Sequence, residues 1–136
     1  MRIVHLLLLS MLGFMLLAAC SRYEEGPSFS IWPAKDRIVN IWKWSLAVEN
    51  GVNRTGELAD STIEFRDDEI VRICDLSDNC REGSWNLVTK KQKLQLIFGQ
   101  KATAYEIRLL KKSEMWLSFS DSDSIVRVEW ELVSGN

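Results

Sequence analysis

The chain has 136 residues, with 17 Lys and Arg against 19 Asp and Glu and a formal charge of −2. That length suits one domain, and the lack of a basic excess gives no electrostatic reason to expect nucleic acid. Its one histidine, His5, lies in an apolar leader, so the rest of the chain lacks an imidazole, which excludes a Ser-His-Asp or Cys-His site, a facial-triad iron site and the usual zinc sets.

Residues 1–19 carry one firm charge at Arg2, then an apolar run through Leu17 and the small pair Ala18-Ala19. A charged start, an apolar stretch and small residues before a cut make a secretory signal. The run is shorter than the ~20 apolar residues of a spanning helix. Its ending, Leu17-Ala18-Ala19-Cys20, resembles the lipobox of bacterial lipoproteins. That resemblance implies cleavage before Cys20, a diacylglycerol on its thiol and acylation of the new amine. Each buried CH₂ adds about 0.8 kcal/mol, so two or three chains anchor stably where one is marginal. The membrane is thus the expected partner through Cys20. Ser21, rather than aspartate, resembles an outer-membrane address and leaves the periplasmic or outer face open.

Residues 20–34 read as a lipidated tether, with Gly26-Pro27-Ser28 and Pro33 and no sustained period. Phe29, Ile31 and Trp32 are apolar enough to pack its end on the domain, and residues 33–36 suit one helical turn. The domain proper is expected over residues 35–136. Its first strand covers 37–48, and Asn50-Gly51 is a strong hairpin signal. Strands follow at 61–66, 70–74, 83–89, 93–98, 103–110 and 115–120. In the last three the apolar sets are Leu94, Leu96 and Phe98; Tyr105, Ile107 and Leu109; and Met115, Leu117 and Phe119. Residues 121–124 (Asp-Ser-Asp-Ser) lack the glycine and distal glutamate of a calcium loop and read as a solvated turn. The last strand, 125–133, places Val126, Val128, Trp130 and Leu132 on one face, so its register is firmly set.

Eight strands joined by short turns pair antiparallel. Such a sheet closes into an all-β, up-and-down barrel or leaves two bare edges. At eight strands the interior is filled by side chains or holds one small ligand. Cys74 and Cys80 are an even pair in an exported chain and suit two strand ends facing across a loop, as a disulfide. A reduced or reactive pair is the alternative, with Arg81 the nearby cation that would lower a thiol pKa.

The segments Lys35–Trp44, Gly83-Ser84-Trp85-Asn86-Leu87, Lys93–Leu96, Tyr105–Leu110 and Met115-Trp116-Leu117 occur in an order that resembles the lipocalin-like domain of small Bacteroidetes-type lipoproteins. The resemblance runs from about Lys35 to Leu132 and implies a small barrel that holds an apolar ligand, with no catalytic residues and no cofactor. Cys74 and Cys80 depart from the pattern. The inward sets nominate Trp44, Phe65, Leu87, Leu96, Ile107, Leu117 and Val128 as the ligand lining. The alternative is a solid barrel, plugged by Trp42, Trp44, Trp85 and Trp130, that docks an unidentified envelope protein. Trp116 lies opposite Met115, Leu117 and Phe119 and is the candidate contact for it.

Overall fold

The structure, a computed structural model, describes residues 31–121 and 126–135. The expected signal segment, the expected lipidation site Cys20, most of the expected tether and residues 122–125 lie outside the described residues. Nine strands occur among those described: β1 (Asn40–Glu49), β2 (Val52–Asn53), β3 (Thr62–Phe65), β4 (Ile70–Cys74), β5 (Cys80–Val88), β6 (Lys93–Phe98), β7 (Lys101–Leu110), β8 (Glu114–Ser120) and β9 (Arg127–Ser134). Two short helical segments join them, α1 (Ala34–Ile38) and α2 (Thr55–Leu58). Leaving out β2, successive strands pair antiparallel and β9 returns to β1. The result is the expected closed eight-stranded antiparallel barrel.

β1 carries the closure. Its first half pairs with β3, from Asn40 opposite Phe65 to Lys43 opposite Thr62. Its second half runs on beyond β3 and turns back through Asn50 and Gly51, whose φ angles of 51° and 78° are those of a primed hairpin turn. β2 is the two-residue return, with Val52 opposite Glu49. Beyond β2 the Arg54 amide donates to the Ala47 carbonyl, and Thr55 Oγ1 accepts from the Ala47 amide. The start of α2 thereby covers an edge that would otherwise present unpaired backbone groups.

The strand β2, the segment α2 and the starts of β5, β7 and β9 depart from the sequence expectation, and two further differences bear on the barrel interior. Residues 37 and 38 belong to α1, and the first strand begins at Asn40. Ala34 and Ile38 are four residues apart on one helical face and both are buried against the barrel. The Trp42 indole Nε1 donates to the Ile38 carbonyl at 2.8 Å, tying α1 to β1. Then β7 carries an irregularity between Ile107 and Leu109. Past it Leu110 faces Met115 inside, whereas Leu109 pairs with Trp116 and is buried apart from the core cluster. A bulge inserts one residue and resets which face the following side chains occupy, so Leu109 leaves the inward set of Tyr105 and Ile107.

The end of the barrel that receives α1 is solid. Ile38, Trp42, Phe65, Val71, Trp85, Leu110, Met115 and Leu132 are each at most 2% exposed. Phe65 meets the Trp85 ring edge-on at 5.6 Å, and Trp85 Nε1 donates to the Arg66 carbonyl at 2.9 Å. The buried Arg37 guanidinium donates to the Leu110 carbonyl. Gly83 is the small residue that the Gly-x-Trp segment needs, because the Phe98 ring lies across it.

Candidate functional site

At the end away from α1 the barrel is hollow. A cavity of about 510 Å³ opens there between β1, α2, β7, β8 and β9, within the range of about 300–1,000 Å³ typical of small-molecule sites. Successive inward positions of β7 give one wall: Lys101 at the rim, then Thr103, then Tyr105. Next to it Phe119, Val126 and Val128 form an apolar wall. Ala47, Glu49, Arg54 and Leu58 complete the side near β1.

The floor is aromatic. Tyr105 stacks on Trp130 with centroids 4.8 Å apart and planes 23° apart. Phe119 lies 5.9 Å from Tyr105, and Trp44 meets Trp130 edge-on at 5.8 Å. The hydrogen bonding of these rings separates them from the other tryptophans. Trp42, Trp85 and Trp116 each give their indole N–H to an oxygen, for Trp116 the Glu114 Oε1 at 3.0 Å. Trp44 Nε1 is buried and has no acceptor among the described residues. Trp130, Tyr105 and Thr103 make no side-chain hydrogen bond among the described residues. Burial of the Tyr105 phenol raises its pKa to about 12, with the charges of Arg81 and Glu49 acting in opposite senses on it.

The charges at the mouth are mostly matched. Arg54 Nη1 reaches Glu57 Oε1 at 2.7 Å. That bond, with the nearby Glu57 and Glu49 charges, holds the guanidinium pKa above its ordinary value. Lys101 makes no ion pair among the described residues.

Cys74 and Cys80 face each other at the same end, on β4 and β5, and are joined as a disulfide with a Cα separation of 4.1 Å. The loop they close is organised by Asp75. Its carboxylate accepts from Asn79 Nδ2 and from the Ser77 and Asn79 amides at 2.9–3.1 Å. The Asn79 side-chain bond leads in holding the Asp75 pKa below the usual carboxylate value.

Of the seven nominated lining residues, Val128 lines the cavity. Trp44 is buried beside its floor, and Phe65, Leu96, Ile107 and Leu117 belong to the filled core. Leu87 packs half-buried against that core. The remaining lining residues, among them Tyr105, Phe119 and Trp130, lie two positions along the same inward faces from Ile107, Leu117 and Val128. Alternation alone does not say which inward level is filled; proximity to the loop ends is the available signal. Trp116 points outward and is half-buried, beside a groove of about 200 Å³ that also touches Leu46, Arg108 and Glu131.

No protein-family model matches the sequence, and no curated protein matches it. Among solved structures, the chain is similar to a lipocalin-like protein from Bacteroides uniformis ATCC 8492, at 8% identity and a TM-score of 0.57. The match covers 72% of this chain and 98% of that one. At that identity the likeness shows a lipocalin-like fold.

Proposed function

We propose that this chain is a membrane-tethered binding protein that holds a small, largely apolar molecule in the mouth of its barrel. The observation that carries the reading is the division of the interior: a solid base, and above it a cavity with an aromatic floor and an apolar wall. A lipocalin-like barrel suggests ligand binding in general, and mouths of β-barrels are preferred ligand sites. Binding requires no reacting group, in keeping with the sequence expectation of a non-enzyme.

The test is native mass spectrometry of the full-length protein purified from membranes. A defined small-molecule adduct is expected, and it is lost in Val128→Trp, which fills the mouth. A protein that carries no adduct and takes up no apolar fluorescent probe would overturn the reading. Tethering rests on the lipobox resemblance at Cys20, and the outer membrane on Ser21. Metabolic labelling with a radioactive fatty acid should mark the wild type and not Cys20→Ser, and the label should fractionate with the outer membrane. Equal labelling would remove the anchor.

A second reading places a protein partner on the outer face, motivated by the groove beside Trp116. Crosslinking in the envelope should then give a defined adduct that Trp116→Ala weakens, and an unchanged pattern would remove Trp116 from the account.

A further inference from the structure

The hydrogen-bonding state of the mouth narrows the class of molecule it takes. Thr103, Tyr105 and Trp130 line the cavity, and their donors, which are not fully buried, meet no protein acceptor among the described residues. Trp42, Trp85 and Trp116, away from the cavity, give their indole N–H to an oxygen, whereas Trp44 Nε1 beside the cavity floor is buried without an acceptor among the described residues, so unmet indole donors gather at this site. An occupant that covers these donors without accepting from them leaves them buried and unmet, which is unfavourable, and a saturated hydrocarbon chain would do so. The stacked pair of Tyr105 and Trp130 offers a flat surface, which favours an aromatic ring over an alkyl chain.

Charge narrows the class again. Arg54 lies between Glu57 and Glu49, so its charge is compensated, and Asp121 has a partner of its own. Lys101 remains as the cation at the rim without an acid, at the head of the ladder that descends through Thr103 to Tyr105.

We infer that the mouth selects a planar aromatic acid that bears a hydrogen-bond acceptor on its ring. Its carboxylate pairs with Lys101, its ring lies against Phe119 and the Tyr105–Trp130 shelf, and its ring acceptor takes the open donors. This inference rests on the reading of the mouth as a ligand site.

Four probes separate the parts: kynurenate (planar, acidic, with a ring carbonyl), 2-naphthoate (planar and acidic, without that acceptor), decalin-2-carboxylate (acidic and saturated) and 4-quinolone (planar, with the carbonyl but no acid). Each is titrated calorimetrically into the full-length protein in lipid nanodiscs, with empty nanodiscs as reference. Kynurenate should bind most tightly. 2-Naphthoate should be about tenfold weaker for the unmet donors, and decalin-2-carboxylate several-fold weaker again. Lys101→Gln, at an exposed position, should weaken kynurenate about fivefold and leave 4-quinolone unchanged. Tyr105→Phe should bring kynurenate closer to 2-naphthoate.

If decalin-2-carboxylate binds as tightly as kynurenate, or Lys101→Gln changes nothing, the assigned class is wrong while the mouth remains a binding site. If none of the four binds, and an apolar fluorescent probe is also refused, the mouth is no ligand site and both readings fall.

Discussion

Gly83 is the residue whose replacement the fold should resist most sharply for its size. An alanine Cβ at this position would sit 2.7 Å from the Phe98 Cδ1 and closer still to the Ile97 carbonyl oxygen. The Phe98 ring, which lies 4.4 Å beneath the Arg81 guanidinium, can turn aside. The Ile97 carbonyl belongs to the β5–β6 ladder, where Ile97 faces Ser84, so it moves only if the ladder moves. Two effects of opposite sign compete. Gly→Ala at an unstrained site stabilises by about 0.4–1 kcal/mol through the unfolded chain, whereas overpacking costs about 1–3 kcal/mol. With a backbone atom in the clash the steric effect wins, and a net loss of about 2 kcal/mol is expected. For a domain near 100 residues each kcal/mol moves Tm by about 4–8 °C, so thermal unfolding followed by circular dichroism should show a drop of roughly 8–16 °C. Adding Phe98→Leu should recover less than half of that, because the carbonyl stays in place. A Gly83→Ala protein that melts at or above the wild-type temperature would refute the argument.

Replacing both Cys74 and Cys80 by serine opens a loop with a sequence separation of six and should cost about 2 kcal/mol by loop entropy, measured as a lower urea midpoint that reductant no longer shifts. Tyr105 titrates near 12 in the fold against about 10 in the unfolded chain. Its contribution is therefore complete below pH 10 and is lost as pH rises from 10 to 12, up to about 2–3 kcal/mol at 1.36 kcal/mol per unit. Denaturant titrations across that window should show this loss in the wild type and not in Tyr105→Phe. Trp42→Phe strands the buried Ile38 carbonyl and should cost about 2–3 kcal/mol. Trp130→Phe, which breaks no hydrogen bond to a described residue, should cost about 1 kcal/mol or less, and equal losses in the two variants would overturn this assignment of partners.

Much of the architecture is legible in local pattern. Val126, Val128, Trp130 and Leu132 alternate without interruption, so one face of β9 is set by its own residues. Asn50-Gly51 marks its turn through the positive φ angles that few other pairs adopt readily. Cys74 and Cys80 face each other because the strands on either side of their loop are short and paired. The departures arise where a side chain answers to the whole barrel. Ile38 reads as part of a strand until one sees that it lies under the barrel floor, four residues from both Ala34 and Trp42. Leu109 and Leu110 exchange faces at a bulge that composition does not mark. The cavity lining is the least legible of all. The same alternation puts Leu117 and Phe119 inside, yet Leu117 is buried core and Phe119 borders open space. Which is which depends on the tilt of the strands around the closed barrel.

The division of the interior into a solid base and a hollow mouth also separates stability from selectivity. The buried residues around α1 hold the barrel shut whatever occupies the other end. On the proposed reading Lys101, Thr103, Phe119 and Val128 bear on the occupant, and none of them belongs to the buried core. If the mouth binds as proposed, substitutions there retune what is bound while the melting temperature stays nearly constant. A scaffold arranged this way can change its cargo by single steps, without first passing through an unstable intermediate.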